Sequence, residues 1–482
     1  MALATRRNGK LWPEVERLPH PQGRLPLLGD VRTATPATPM QGAMKWAREL
    51  GPIYHAKLPG FQMVVVSGAD LVAELVDESR FAKHVGFGID AYRPVTGDGL
   101  FTAYNDEPNW QLAHDILMPA FSREAMRRYH GAMLGCVERL IDAWDKQCGG
   151  PYVDVVGDMT KLALDTIGVA GFGYDFDSFS RPDLHPLVAA MISTLQHSTK
   201  TPIARWLGRR RNEESVRYMH RLVDEVVRKR KESRDTGVQD LLGAMLNTEQ
   251  EGTGRKLSLE NIRYQILTFL IAGYGTTAGM LSFALYFLST HPEALKKAQR
   301  EADEVLGASG GAPTFEQVAK LRYIRRVLDE ALRLWPPAPA FLREARHDTT
   351  LGGHPMRKGA WVVVLTPMLH RDPVWGADVE AFDPDRFLPE AVRARPGHAY
   401  RPFGTGLRSC IGRQFAQHEA TLALAMLLHR YEPEGEPGYE LKVSEGGFFM
   451  PAGFRLRLTR RTPQAPVAES GLSAGVGPAD RT

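Results

Sequence analysis

The sequence predicts a mainly α-helical protein with a small β subdomain. Helical periodicity dominates residues 69–334 and returns in residues 414–431, whereas segments that alternate like strands lie near the two ends of the chain. Consecutive helices bury their apolar faces against one another, and strands from distant segments can pair in one sheet. A glycine-rich loop at residues 403–412 carries a single cysteine directly before the last helix. These three observations predict one α-rich unit with a small sheet beside it.

The elements follow in chain order. Residues 53–58 and 62–67 alternate as strands around a Pro59-Gly60 turn, which predicts a hairpin. The first helices are predicted at 69–77, 110–117, 123–144, 159–171, 185–199, 213–232 and 238–247. Ser258 is placed to cap a long uncharged helix that ends near Pro292. Later helices are predicted at 292–305, 315–319, 324–334 and 414–431, and later strands at 361–366 and 454–458.

The predicted domain organisation is simple. Residues 1–18 are expected to be a flexible N-terminus, and residues 19–460 a single domain that starts with a proline-rich extended segment. Residues 461–482 consist mainly of Pro, Ala, Gly and Ser without an apolar period, which is typical of a disordered tail.

Composition excludes several classes of protein. A net charge of +4 over 482 residues gives no reason to expect nucleic-acid binding. Three cysteines without a CxxC pair exclude a disulfide scaffold, a zinc ribbon and a four-cysteine iron–sulfur cluster. His370-Arg371-Asp372 spells a kinase triplet, but no glycine-rich loop precedes it and no DFG follows.

One stretch raises the question of a membrane. Residues 264–292 contain no charged side chain and include a GxxxG pattern at Gly275 and Gly279. Several Tyr, Thr, Ser and Gln residues dilute its apolar character, so a buried helix in a large domain is the better interpretation. No signal peptide or anchor is recognisable at the N-terminus. We therefore expect a cytoplasmic protein with no membrane association.

Cys410 lies in surroundings that favour metal binding. Gly404 and Gly406 permit a tight loop, Gly412 lets a flat group approach, and Arg408 can hold a carboxylate. The helix that starts behind the loop is expected to lower the pKa of the thiol through its dipole and free N–H groups. Cys410 is thus a candidate ligand for a soft metal, although a lone cysteine near a helix is usually a small buried hydrophobic residue.

The spacing of Phe403, Gly406, Arg408, Cys410 and Gly412 resembles the haem-binding signature of the cytochrome P450 enzymes. The resemblance runs from about residue 19 to 460 and is greatest to the haem domain of bacterial self-sufficient fatty-acid hydroxylases. It implies the cytochrome P450 fold, haem b as cofactor and Cys410 as the iron ligand. The other implied haem contacts are Phe403, Gly404, Gly412 and Ala272, with Trp110, His114 and Arg408 at the propionates. For Trp110 and His114, a core tryptophan beside a surface histidine is an equally good interpretation.

The long helix carries the sequence Ala272-Gly-Tyr-Gly-Thr276-Thr. Two glycines cost a helix interior about 2 kcal/mol relative to alanine, so they need a reason. They either allow close helix packing or loosen the helix over the haem to leave a groove for O₂ and water. By resemblance, Thr276 relays protons at that place. The family usually has an acid where this chain has Gly275, so proton delivery is expected to use another path.

Glu330 and Arg333 lie one helical turn apart and form an i,i+3 pair. Alone, such a pair would be a surface ion pair of small energetic effect. The resemblance implies that Arg386 joins them in a buried network, so we interpret all three residues as structural.

The resemblance also implies a substrate pocket. By position, Phe101 and Ala338 lie at the distal haem face, and further candidates are Ile89, Tyr92 and Thr96, for which core packing is an equal interpretation. Phe61 and Val65 occupy the channel-mouth positions where the fatty-acid enzymes carry an Arg and a Tyr. An anionic fatty acid therefore loses its anchor, and an uncharged or aromatic substrate is favoured.

The leading hypothesis is a monooxygenase that oxidises a small to medium, largely apolar substrate with O₂. Because the sequence stops soon after the last predicted strand, we expect no fused reductase and a separate ferredoxin or flavodoxin, with its reductase, as electron donor. Gly275 motivates an alternative, a peroxide-using or non-hydroxylating enzyme of secondary metabolism that performs ring closure, coupling or nitrogen-group transfer. A non-catalytic haem-thiolate sensor is the alternative from another class.

Overall fold

The computed structural model describes residues 13–59, 61–86, 88–198, 202–233, 237–307 and 311–463. Its helices are α1 (Pro39–Leu50), α2 (Ala69–Leu75), α3 (Arg93–Thr96), α4 (Pro108–Leu117), α5 (Arg123–Asp145), α6 (Val155–Phe172), α7 (Pro186–Ser198), α8 (Pro202–Glu232), α9 (Leu241–Asn247), α10 (Leu259–Thr290), α11 (Pro292–Leu306), α12 (Phe315–Val318), α13 (Arg322–Leu334), α14 (Thr366–Leu369), α15 (Pro389–Ala394) and α16 (Arg413–Arg430). The expected dominance of helix in the middle of the chain is confirmed.

The strands are short and come from distant segments. They are β1 (Ile53–Leu58), β2 (Phe61–Val66), β3 (Phe81–Lys83), β4 (Val153–Asp154), β5 (Ala340–Ala345), β6 (Thr349–Leu351), β7 (His354–Met356), β8 (Trp361–Leu365), β9 (Tyr431–Gly435), β10 (Val443–Ser444), β11 (Met450–Pro451) and β12 (Arg455–Arg460). The largest sheet has the order β1-β2-β8-β5-β3, and a second has the order β4-β12-β9. The predicted hairpin is confirmed, with Ile53 opposite Val66.

The long uncharged segment forms α10, which runs without interruption through the middle of the domain. Ser258 caps it as predicted, because its hydroxyl accepts a hydrogen bond from the Asn261 N–H at 3.1 Å. The helix is long and apolar enough to cross a membrane, but 83% of its most apolar window is buried inside the protein. A helix that is apolar all round and covered on all sides by its own domain is a core helix.

The chain ends differ from the expectation. Residues 1–12 and 464–482 lie outside the described part, but Pro13–Arg17 forms a short 3₁₀ helix. Val15 and Leu18 are buried in the same apolar cluster as Val64 of β2, so the predicted flexible N-terminus is wrong for residues 13–18. At the other end, Arg461 donates to Asp303 at 2.6 Å, so the predicted disordered tail is wrong for its first residue.

Glu330 and Arg333 on α13 form the buried centre of a network. Both side chains are fully buried, and the Arg333 Nε and Nη2 atoms donate to the two Glu330 oxygens at 2.7 and 2.8 Å. Arg333 also donates to the carbonyls of His370, Val379 and Ala381 at 2.7–3.0 Å. The Nε atom of Arg386 lies 3.6 Å from Glu330.

This network reaches the cysteine loop through His370. The imidazole is buried, with Nδ1 3.2 Å from the Arg333 carbonyl oxygen and Nε2 2.9 Å from the Arg401 N–H. Because a backbone N–H only donates, Nε2 is the acceptor and Nδ1 carries the proton. Arg401 stands two residues before Phe403, so the network fixes the start of the loop that carries Cys410.

Candidate functional site

Cys410 sits in a tight loop in front of α16. Gly404 and Gly406 have φ angles of +73° and +69°, a region that disfavours other residues. The Cys410 N–H donates to the Phe403 carbonyl at 2.9 Å and closes the loop. A side chain at Gly406 would overlap Glu78, so this glycine also permits close approach to a neighbouring segment.

The free thiol of Cys410 is not activated in the way that the sequence predicts. Burial raises its pKa, and this effect exceeds the opposing influence of the Gly412 N–H and of the Arg413 charge. The prediction that the helix start lowers the pKa is therefore wrong for the free thiol: its surface is open to the cavity, but the protein atoms that surround it desolvate it and disfavour a charge. A bound metal cation would compensate for this cost, since a coordinating thiol is deprotonated.

The Cys410 side chain opens into a cavity of about 1190 Å³ that also reaches α10. Most of the predicted site residues line it. They are Ile89, Tyr92, Phe101, Trp110, His114, Ala272, Thr276, Ala338, Phe403, Gly404, Arg408, Cys410 and Gly412. The structure thus brings the cysteine loop and the centre of α10 to one cavity, although more than a hundred residues separate them in sequence.

Arg408 is a half-buried cation at the edge of this cavity. Its guanidinium donates to the carbonyls of Leu100 and Ala103 at 3.2 and 2.8 Å and to the Asn105 side chain at 3.1 Å, and it lies 4.7 Å from the Trp110 ring centre. Its Nε atom is buried without a hydrogen-bond partner. Burial lowers the pKa of Arg408 to about 10. A negative group of a ligand would relieve both the unpaired donor and the buried charge.

Lys83, which the sequence analysis missed, reinforces this positive end. Its ammonium group donates to the Phe101 carbonyl at 2.6 Å and lies 4.6 Å from the Phe101 ring centre. Burial, and then the charge of Arg408, hold the pKa of Lys83 well below its usual value. Glu107, Glu344 and Glu78 offset only part of the desolvation of Arg408, so an anionic ligand group near the two cations would stabilise both charges. No sequence signal marks Lys83, because it is an ordinary residue at the end of β3.

Trp110 and His114 belong to α4 and lie beside Arg408. Their rings stack at 4.9 Å with an interplanar angle of 27°. The Nδ1 atom of His114 is buried without a hydrogen-bond partner. The same atom lies 3.7 Å from Asp115 Oδ1. Of the two interpretations left open by the sequence, contact with a ligand gains support because both rings line the cavity.

Thr276 lines the cavity, and its hydroxyl donates to the Ala272 carbonyl at 2.7 Å. Because α10 is uninterrupted, the expectation that the glycines loosen its hydrogen-bond ladder is wrong. Close packing explains Gly275, where a Cβ atom would overlap the ring of Phe448. A Cβ atom at Gly273 would lie 3.6 Å from Ile167 of α6, an ordinary contact, so packing does not require a glycine there.

Four predicted residues lie outside the cavity lining. Gly275 is buried behind Phe448. Thr96 is 2% exposed, and its hydroxyl is hydrogen-bonded to the Thr102 hydroxyl at 2.9 Å, so it is a core residue. Val65 is buried between neighbouring strands of the sheet, and Phe61 packs on Trp361 with ring centres 6.2 Å apart. The prediction that Thr96, Phe61 and Val65 line the pocket is wrong, because their contacts belong to loop and sheet packing.

Several lining residues were not found from the sequence. Phe448 and Phe449 come from the loop between β10 and β11, and Thr194 and Asn212 come from α7 and α8. The Thr194 hydroxyl and the Asn212 Oδ1 atom are buried without a partner. They are distant in sequence from every recognised motif, so only the fold reveals them.

The donor set fits a haem. Among the residues that the structure describes, no group of three His, Cys, Asp or Glu side chains could hold a metal ion directly. A metal in this cavity therefore needs a carrier that supplies the other ligands, with Cys410 as a protein ligand. The unpaired Arg408 donor and the neighbouring Lys83 match a carrier with carboxylates at its edge.

Comparisons with known proteins agree with this geometry. The cytochrome P450 family model matches residues 19–453. A bifunctional cytochrome P450/NADPH–P450 reductase of Bacillus subtilis is 46% identical over 436 residues, which are 88% of this chain and 41% of the relative. A Bacillus cereus protein of the same description is 44% identical over 93% of the chain and 42% of the relative. A self-sufficient cytochrome P450 monooxygenase of Exserohilum turcicum is 36% identical over 91% of the chain and 42% of the relative.

The chain spans about two fifths of the length of these relatives. The match covers both halves of the candidate site, the Cys410 loop and the centre of α10. The family expected from the cysteine loop is thereby confirmed, and the chain belongs to the cytochrome P450 family.

Proposed function

We propose that this protein is a monooxygenase that oxidises a small to medium, largely apolar and uncharged organic substrate with O₂ and externally supplied electrons. The observation that carries the proposal is that Cys410 and Thr276, from distant parts of the chain, line one cavity with mostly apolar walls. The family match and the similarity to cytochrome P450 proteins support it.

Haem b is the proposed cofactor, and five residues would hold it. Cys410 would ligate the iron, and Arg408, Lys83, Trp110 and His114 would bind the propionates. When bound, the haem supplies an iron centre at which O₂ is activated, and a thiolate ligand favours O–O cleavage. The anionic edge of the haem would give the buried Lys83 and Arg408 charges a partner, which supports this orientation.

Thr276 is the proposed proton relay. Its hydroxyl donates to the Ala272 carbonyl, so the oxygen lone pairs are free to accept a hydrogen bond from water or substrate in the cavity. A hydroxyl that both donates and accepts can pass a proton by exchanging partners. The apolar residues around it, such as Phe269 and Met280, limit the water that can compete for this position.

The distribution of charge in the cavity favours uncharged substrates. Among the described lining residues, the cations are Lys83, Arg343, Arg401 and Arg408, and all of them gather around the cysteine loop. The lining carboxylates are Glu419, on α16 behind the cysteine loop, and Asp90 and Glu445 on the other walls. A substrate carboxylate would meet no cation there, and its desolvation would be uncompensated. The unpaired Thr194 and Asn212 groups can bind a neutral polar group of the substrate.

The electron donor is proposed from the relatives. The names of the Bacillus relatives describe a bifunctional cytochrome P450 with an NADPH–P450 reductase. We propose that this chain receives electrons from a ferredoxin or flavodoxin and its reductase, in the cytoplasm. No observation favours the sensor alternative. Packing of Phe448 gives Gly275 a steric reason, so this glycine alone does not favour peroxide-driven or non-hydroxylating chemistry.

The proposal is tested with purified haem-loaded protein, NADPH and surrogate ferredoxin and flavodoxin systems, with peroxide as a parallel arm. Ligand panels of fatty acids, aromatic alcohols and aromatic amines are screened by absorption shifts, and products are identified by mass. We expect an oxygenated product of an uncharged ligand with NADPH. Cys410→Ala should abolish the thiolate-type CO-difference spectrum, whereas Cys148→Ala, a half-buried cysteine outside the cavity, should retain it. Turnover with peroxide alone, or none with any donor, would contradict the proposal.

A further inference from the structure

The face of α10 that carries Gly275 and Gly279 packs closely against Pro337 and against the loop between β10 and β11. The two glycines are one helical turn apart and both are buried. A Cβ atom at Gly279 would lie 2.8 Å from Pro337 Cγ and 2.9 Å from the Phe449 carbonyl oxygen. At Gly275 it would overlap two ring carbons of Phe448 and lie 3.0 Å from a third. Real Cβ atoms do not come this close, so the segment seated here requires both glycines.

The seated segment is the loop between β10 and β11, and it is anchored on several sides. The Phe449 N–H donates to the Pro337 carbonyl at 2.9 Å, and its side chain is 1% exposed. Upstream, the Glu445 carboxylate accepts hydrogen bonds from the Met40 and Gln41 N–H groups at the start of α1, at 2.8 and 2.9 Å. These contacts leave the loop little freedom to shift away from α10.

Phe448 is the residue that this arrangement presents to the cavity. Its ring packs edge-on against Tyr274, with centroids 5.8 Å apart and an interplanar angle of 87°. Its other side lines the cavity, which Phe101, Tyr92 and Phe269 also line. The ring thus occupies the volume beside Gly275, the residue directly before Thr276, and it adds an aromatic surface to a cavity that already has several.

We propose that Phe448 is a specificity-determining residue that favours uncharged aromatic substrates, and that Gly275 is the seat that holds its ring in place. The inference rests on the proposed function for the existence of a substrate, but the coupling of residues 275 and 448 is a property of the chain alone. A residue larger than glycine at position 275 pushes the ring into the cavity or lifts the loop off α10. Gly275 therefore acts on the substrate through Phe448, as a positioning residue.

Melting temperatures test whether Gly275 holds the Phe448 ring in place. Gly275→Ala is expected to lower the apparent melting temperature by about 1–2 °C, because overpacking outweighs the gain in helix propensity. Gly273→Ala on the same helix is the matched control, since its Cβ would lie 3.6 Å from Ile167, an ordinary contact, and should not lower the melting temperature. Removing the ring removes the clash, so adding Gly275→Ala to Phe448→Ala should cost nothing. If Gly275→Ala lowers the melting temperature equally in both backgrounds, the seat is refuted.

Binding tests the specificity. Dissociation constants of 2-naphthol and 1-decanol, two uncharged alcohols with the same number of carbons, are measured with haem-loaded protein by competition and absorption shift. Phe448→Ala is expected to reduce the preference for 2-naphthol about 5-fold, the loss of one aromatic pair. Gly275→Ala should change the ratio only when Phe448 is present. If Phe448→Ala leaves the ratio of the two dissociation constants unchanged, the specificity role is overturned. If the unaltered protein binds neither alcohol, the result counts against the proposed function instead.

Discussion

His370 makes the stability of this protein depend on pH in a way that one substitution can isolate. The neutral ring is hydrogen-bonded at both nitrogens and lies near the charges of Arg333 and Arg371. Burial, followed by the Arg333 charge, lowers the pKa of His370 from 6.5 to about 3. Protonation would place a second hydrogen between Nε2 and the Arg401 N–H and add a cation beside two guanidinium groups. The folded state therefore resists protonation of this ring.

The sign and size of the pH effect on stability follow from the difference in proton binding between the folded and the unfolded chain. Between pH 6.5 and 3 the unfolded chain binds a proton at this ring that the folded chain does not, so stability falls as the pH falls through this range. For these two pKa values the loss from His370 alone is about 2 kcal/mol at pH 5 and about 2.7 kcal/mol at pH 4.5. At pH 7.5 the ring is neutral in both states, and the loss vanishes.

The assay compares urea unfolding of the unaltered protein, His370→Gln and His347→Gln at several pH values from 7.5 to 4.5. His370→Gln is less stable at pH 7.5, since it loses buried hydrogen bonds, but its stability should fall less on acidification by about 2 kcal/mol at pH 5. His347 is an exposed histidine, so its variant should follow the unaltered protein. Parallel curves for the unaltered protein and His370→Gln would refute the reasoning. Other titrating groups, such as His418 and Glu419, are present in all three proteins and cancel in the difference.

Three further predictions concern the buried network and the site. Arg333→Met should destabilise the fold by about 3–5 kcal/mol because buried Glu330 loses its two hydrogen-bonded guanidinium donors and keeps only Arg386, at 3.6 Å, as a cationic neighbour. Lys320→Met on an exposed turn should have no such effect, and thermal melts distinguish the two. Lys83→Met should release haem to apomyoglobin about 10-fold faster through loss of a charge-assisted hydrogen bond, and an unchanged rate would exclude a propionate contact. Thr276→Ala should retain NADPH consumption but lower product yield about 100-fold, with hydrogen peroxide released instead; equal yields would exclude a proton relay.

The helical part of the fold could be predicted because its signals are local. Ser258 caps α10 where the uncharged run begins, and the amphipathic segments before and after it form helices with shifted ends. The short strands could not be predicted, because strands of three residues such as β3 exist only through their partners. Tyr431 shows the same limit. It continues the helical pattern of α16 in sequence, but its backbone pairs with Arg460 and begins β9.

In the candidate site, too, only the residues that have a local sequence signal could be predicted. The cysteine loop could be identified because its glycines, Arg408 and Cys410 lie within ten consecutive residues. Two of these glycines, Gly404 and Gly406, have positive φ angles, which favour glycine and so can be recognised in a sequence. Lys83 and Phe448 could not be identified, because each reaches the cavity from a segment whose local sequence has no unusual feature. The thiol pKa was predicted in the wrong direction for a related reason. The helix dipole is visible in a sequence, whereas the desolvation by surrounding protein that outweighs it is not.

The sequence and the structure give different interpretations of Gly275. From the sequence it is a missing acid, and the question is how protons reach Thr276. In the structure it is a missing Cβ, and the space beside the helix belongs to Phe448. An acid could not be restored at position 275 without displacing this ring. The Thr276 hydroxyl donates a hydrogen bond to the Ala272 carbonyl, so its oxygen accepts hydrogen bonds from water or substrate that enters the cavity. Phe448 and Thr276 line the same cavity, so a side chain at position 275 that moves the Phe448 ring changes the space available to both water and substrate.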